Sequence, residues 1–405
     1  MNELEERVLR AVDETRLVRL LQDMVRHKSY SNSPGEGELA HWLAGYIRPH
    51  GLDVTHQNIT AERLNTIVYL RGTGGGTSLM LNGHIDTNMV GMGWTRDPWG
   101  GEIDDGCLYG IGVSNMKAAD AAMIEAACAL KDAGVALRGD LIVALVVGEL
   151  QGGVGTVHML EQGVRADRFI VGEPTDLALL TLHAGSFEVE IRVYGRTRHL
   201  SKMEEGVSAI ERACAVIDAL KGCGFSGADR PDYRGLQRIN VGAIRGGMGK
   251  EFLEWRLPSV PDYCVIKLNG RIAPGQTPES ALSDIRAMLA RLASHDPELR
   301  AEADLIESTQ KIYMAAFEIA TDDPFVRAVA SAYEEITGKK PRIGDVAPYK
   351  FYGTDAAHLA GRAGMTGLVC GPGGKYNTMD DERVEIVDVV AAAKLYALMA
   401  LRTCS

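Results

Sequence analysis

The sequence predicts an α/β fold: a mostly parallel-sheet domain with a smaller α+β sandwich inserted into it. Three observations point there. Continuous apolar runs at Leu141–Val147 and Arg168–Val171 read as strands buried on both faces, and helical patterns separate them. Past His183 the texture changes, because Ser186–Tyr194 alternates apolar and polar residues as a strand with one exposed face does. From about Ile312 the first texture resumes. A chain of 405 residues also exceeds one ordinary core, so two domains are expected: one from 1–182 and 313–405, the other from 183–312.

In chain order, helical patterns to about Asp53 are broken by a loop at Ser29–Gly35. Strands follow at Thr66–Leu70 and Ser78–Asn82, with a glycine turn at Gly72–Gly76 between them. Asn115–Leu130 is rich in alanine and reads as a helix that Ser114 or Asn115 can cap. In the inserted part, strands are expected at Arg238–Ile244 and Cys264–Leu268, with helices at Val207–Leu220 and Pro278–Leu292. A helix at Pro324–Thr337, a strand at Thr366–Cys370 and a helix at Val387–Leu401 complete the chain.

Composition narrows the function classes. The net charge of -11 argues against nucleic acid and anionic membrane as partners. No apolar run approaches the length of a membrane span. Seven dispersed cysteines without a CxxC pair fit reduced thiols, and the charged start lacks a secretory apolar stretch, so a cytoplasmic location is expected.

Acidic and imidazole groups gather at strand ends. His84 with Asp86, Glu149 and Glu173 each follow a predicted strand, and a fourth strand runs into Gly371-Pro-Gly-Gly374. In open parallel sheets, active sites form at that edge.

These segments resemble, in order and over nearly the whole chain, the di-zinc amidohydrolases and peptidases related to acetylornithine deacetylase, succinyl-diaminopimelate desuccinylase, aminoacylase and glutamate carboxypeptidase. Asn82-Gly-His-Ile-Asp86 resembles the family's GHxD, and Asp105–Gly110 its DGxLYG. Gly110–Ala119 resembles GRGxxDMKGG, Gly148–Thr156 DEExGGxGT, Gly172–Thr175 GEPT and Gly195–Ser201 GxxxHS. The resemblance implies a catalytic domain with an inserted dimerisation lid, a homodimer, a small-molecule substrate and two zinc ions. In that chemistry the metals activate a water and polarise a carbonyl, while a glutamate moves the proton.

The ligand set departs from the family. Of five metal-binding positions, His84 and Glu173 remain. The bridging Asp position holds Asn115, the second Glu of DEE is Leu150, and the last His falls on Asn377 or Thr378. Glu149, the proton-shuttle position, is retained, and Asp86 is placed to orient His84. The resemblance implies that His199 reaches the neighbouring subunit's site and that Arg271 binds a substrate carboxylate. Asn115, Asn240, Asn377 and Gly353 are further expected substrate contacts.

The expectation is therefore an amide-cleaving enzyme holding no metal or one weakly bound divalent ion, with Glu149, Asp86, His84 and His199 as the catalytic group. Two alternatives stand beside it. One is a ligand-binding homologue without catalysis. The other is a conventional zinc enzyme with substitute ligands such as Asp380, Asp381 or Cys370.

Overall fold

The structure is a computed structural model and describes residues 1–306 and 312–405. It divides into two compact units, Met1–His183 with Gln310–Ser405, and Ala184–Thr309. His183 stays with the larger unit because it pairs with Phe317 in a short antiparallel bridge. The break thus falls one residue later than the sequence texture suggested.

The larger unit is built on an eight-stranded sheet. Its middle is four mutually parallel strands, in the order Leu141–Val146, Leu79–His84, Arg168–Pro174 and Thr366–Gly371. Their near-total burial is why they read as unbroken apolar runs. One edge carries an antiparallel hairpin, Asp53–Asn58 with Leu64–Leu70. The first strand of that hairpin, polar and half-exposed, was not legible from periodicity.

Successive residues of the central strand show how the layers are fixed. The Asn82 side chain donates to Thr156 in the helix Val154–Glu161. Gly83 points the other way, and a Cβ there would lie 2.0 Å from Oδ1 of Asp120 in the helix Ala118–Asp132. That helix is buried along Ala118–Leu130 and packs on the terminal helix Ile386–Cys404. Its many alanines allow the close approach.

The helix begins later than expected, and neither proposed residue caps it. Val113–Lys117 forms a wide turn in which Asn115 is extended (φ -168°, ψ 90°), so its side chain leaves the helix direction. The Ser114 amide is instead taken by Glu382 from the far end of the chain.

The smaller unit is a four-stranded antiparallel sheet, ordered Arg238–Gly247, Tyr263–Ile272, Gly185–Tyr194 and Arg300–Leu305. Gly185–Tyr194 alternates buried and half-buried residues throughout, matching its sequence pattern. Helices Ala209–Leu220 and Pro278–His295 cover the buried face and share one core with it. The edge strand Arg300–Leu305 was not anticipated, since its Arg-Ala-Glu-Ala-Asp start has no strong β-forming residue.

Candidate functional site

Four groups converge on one imidazole in the larger unit. His84 ends its strand fully buried, with Nδ1 3.0 Å from the Asp86 carbonyl oxygen and 3.3 Å from Asp86 Oδ1. Its Nε2 lies 3.1 Å from Asn115 Oδ1, 3.5 Å from Glu173 Oε1 and 3.9 Å from Glu149 Oε2. Burial opposes a charge on the ring. The Asp86 hydrogen bond and the charges of Asp86, Glu173 and Glu149 outweigh it and hold the imidazole well above its usual range. Burial and the charge of Glu173 push Glu149 well above the ordinary carboxyl range, although His84 opposes this. Burial likewise lifts Glu173 to about 7, against the pull of His84.

Glu149 sits on a turn whose amides are tied one by one. Val147 N–H donates to Asn65 Oδ1 at 3.1 Å and Gly148 N–H to Glu36 Oε1 at 2.9 Å. Glu149 N–H donates to Asp86 Oδ1 at 3.1 Å and Leu150 N–H to Asp86 Oδ2 at 3.2 Å. Asp86 therefore orients both His84 and the Glu149 turn. Glu36 is itself paired with Arg63, which also donates to Gln151 Oε1 at 2.7 Å. Four consecutive amides met by buried side chains make a rigid mount for the carboxylate. Sequence reading missed Glu36 and Asn65, because no motif marks a residue whose partner is a backbone amide more than 80 positions away, and Arg63, which acts through Glu36.

On the opposite side, Asn115 is presented by the wide turn that Glu382 anchors. Glu382 is buried and accepts from Ser114 N–H at 2.7 Å, while its own carbonyl accepts from Gly110. Burial lifts this carboxyl to about 8, against the amides of Ser114, Gly112 and Asn115 and the charge of Lys117. Lys117, fully buried with its ammonium donating to the His27 carbonyl, is lowered by burial to about 7. Glu382 is a fourth residue that the sequence reading missed. The signal was its place in the run Asp380-Asp-Glu382 directly after Asn377–Thr378.

Asn115 and Asn377 open onto a common cavity of about 110 Å³, also lined by Asn88, Trp94, Thr378 and Asp380. The expected contact Gly353 lies just before Thr354 and Asp355. Thr354 meets His183 at 2.9 Å, and buried Asp355 accepts from Thr156 at 2.7 Å. His199, Asn240 and Arg271 belong to the smaller unit. His199 is exposed, with Nδ1 3.0 Å from Ser201 Oγ. Asn240 is exposed on the strand Arg238–Gly247, and Arg271 is half-buried on the neighbouring strand Tyr263–Ile272.

The model of the peptidase family M20/M25/M40 matches residues 80–402. The chain belongs to that family. Among similar proteins is N-formyl-4-amino-5-aminomethyl-2-methylpyrimidine deformylase of Bacillus subtilis, 26% identical over 90% of this chain and 88% of its own. Acetylornithine deacetylase of Myxococcus xanthus is 27% identical over 85% of each chain. The fold matches aminopeptidase PepT from Bacillus cereus with a TM-score of 0.76 at 20% identity, covering 98% of this chain and 100% of that one. It also matches a dinuclear metal-binding M20 peptidase of Bacillus subtilis with a TM-score of 0.70 at 15% identity, covering 96% and 98%.

Against the family's two-ion centre the donor set falls short. His84, Glu149 and Glu173 bring ligand atoms within 4.8 Å of one another, which is the one such grouping among the described residues. Those three suffice for a single ion. On the ligand positions that the resemblance implies, a second ion would need a bridging carboxylate where Asn115 offers a neutral amide, a carboxylate where Leu150 offers none, and an imidazole where Asn377 and Thr378 stand.

Proposed function

We propose that this chain hydrolyses the amide bond of a small N-acylated amino acid or related carboxylate-bearing compound, at a centre with at most one divalent ion. The carrying observation is the donor set: Glu149 keeps its buried, rigidly mounted place beside His84, while three of five metal-binding positions hold residues unfit for a second ion. The family membership and the deformylase and deacetylase among its relatives support the bond type.

In the proposed reaction Glu149 takes a proton from water as the water oxygen bonds to the acyl carbon. The C–N bond then breaks and the same proton passes to the leaving nitrogen. The Asn115 oxygen faces His84, which leaves the amide N–H atoms to face the substrate carbonyl oxygen. Arg271 takes the substrate carboxylate in a two-pronged grip. Asn240, Asn377 and the Gly353 loop complete the contacts. The active form is a homodimer through the smaller unit, which brings His199 to the partner's centre, and the enzyme works in the cytoplasm. Among the described residues no helix is long and apolar enough to cross a membrane.

A single-ion reading is favoured by the grouping of His84, Glu149 and Glu173. It would enlist Glu149 as a ligand and weaken it as a base. One experiment covers both readings: amine release from a panel of N-acyl compounds, alongside elemental analysis of protein produced with ample zinc. The expected outcome is amine release with no more than one tightly held ion per chain. Two tight ions per chain would overturn the metal part. Ligand binding without turnover of any N-acyl compound would make the chain a binding homologue.

A further inference from the structure

The cavity beside Asn115 has a composition that selects ligands by charge. None of its lining side chains is basic. Three are carboxamides, Asn88, Asn115 and Asn377, and two are acids, Asp380 and Glu382. Glu382 is spent on the Ser114 amide. Asp380 is different. Its carboxylate is exposed and makes no hydrogen bond or ion pair among the described residues, and it lies against two glycines. A Cβ on Gly93 would sit 2.1 Å from Asp380 Oδ2, and one on Gly91 would sit 2.8 Å from Oδ1. The loop therefore leaves room for an acid whose charge no other residue answers.

The carboxamides add no charge, and the atoms that two of them leave to a ligand are N–H donors. Asn115 has its oxygen turned to His84, and Asn377 Oδ1 accepts from Thr378. A carboxylate ligand would meet Asp380 with no cation in the lining to offset it. An ammonium, amidine or N–H-rich heterocycle would meet an unanswered carboxylate. The cavity has room for a head group of that size.

We infer that this cavity is a specificity pocket for a positively charged or N–H-rich nitrogen group on the substrate, with Asp380 as the residue that reads it. This rests on the amide-hydrolase reading and adds a basic end to a substrate whose carboxylate is assigned to Arg271.

Three probes of matched length test it: N-acetyl-1,4-diaminobutane, N-butylacetamide and N-acetyl-4-aminobutanoate. For the wild-type chain, kcat/KM should be higher for the cation than for the neutral probe, while the anion reports on Arg271. Cation and neutral probe should differ by about threefold to fivefold, as one exposed ion pair contributes. In Asp380→Asn the cation-to-neutral ratio should shrink several-fold, through KM rather than kcat. No preference for the cation over the neutral probe, or an equal effect of Asp380→Asn on both, would overturn the pocket. Binding of the same probes, followed by the fluorescence of Trp94 with Trp94→Phe as the control, separates the two readings. Cation binding without turnover sustains the pocket and removes the hydrolase reading, whereas cation binding no tighter than that of the neutral probe removes the pocket whatever the turnover.

Discussion

The two turns that face His84 are built on different principles. On the Glu149 side every amide from Val147 to Leu150 is held by a buried side chain, and two of the three side chains that do so are acids, one of them paired with Arg63. On the Asn115 side one acid, Glu382, carries the turn, and the residues that reach the cavity are neutral amides and an exposed carboxylate. The family's charged machinery is kept where it is mounted rigidly. Around Asn115 fewer buried side chains hold the backbone. The proton-moving role proposed for Glu149 needs a carboxylate held to within a fraction of an ångström, and the dense anchoring on its side meets that need. A side that only recognises a ligand can tolerate looser support.

The sharpest way to break this contrast is Glu149→Gln. Turnover of a responsive N-acyl compound should drop by about a thousandfold, as for loss of a general base, with KM little changed. Steady-state kinetics that retain activity within tenfold would place the chemistry elsewhere.

Next comes Glu36→Ala, which acts on the mount alone. It leaves the Arg63 guanidinium almost fully buried without its partner and removes the acceptor for Gly148. A loss of about 3–5 kcal/mol in urea unfolding is expected. A loss below 1 kcal/mol would show that the Glu149 turn does not depend on this pair.

The Asn115 side has its own signature, in pH. Glu382 is raised to about 8 in the folded chain from an ordinary 4.5, so the folded state binds the proton more tightly than the unfolded one. Stability from this group therefore falls as pH rises from about 4.5 to 8. Lys117, lowered to about 7 from 10.5, acts in the other sense and adds stability as pH rises from 7 to 10.5. Urea unfolding should show stability falling between pH 5 and 7 in the wild type, with a flatter profile in Glu382→Gln. An unchanged slope in the variant would remove Glu382 as its source.

The smallest expected effect is Gly93→Ala. The added methyl displaces only the Asp380 carboxylate, a flexible chain end, so stability should stay within about 0.5 kcal/mol. The preference for a cationic probe should still decline. A large loss of stability would show that the loop has no slack.

Much of the fold was legible because burial writes itself into periodicity. The four central strands, the alanine-rich helix and the alternating strand Gly185–Tyr194 all lie close to where their patterns place them. The misses share a cause. Asp53–Asn58 and Arg300–Leu305 lie away from the centre of their sheets and are exposed enough to lack a pattern. The start of the alanine-rich helix was misread because Asn115 looks like a cap, whereas the backbone there turns its amide toward His84.

By itself the sequence determined the chemistry on offer: His84, Asp86, Glu149 and Glu173 at strand ends, with Asn115 and Leu150 among them where the family resemblance implies metal ligands. These are properties of residue identity and order. Only the tertiary structure decided that Asp86 serves both His84 and the Glu149 turn, that Glu36 and Glu382 hold the two turns, and that Asn115, Asn377 and Asp380 share one cavity. The reason is physical. A buried acid satisfies whichever amide the packed chain brings to it, and here the partners lie 63 to 268 positions apart.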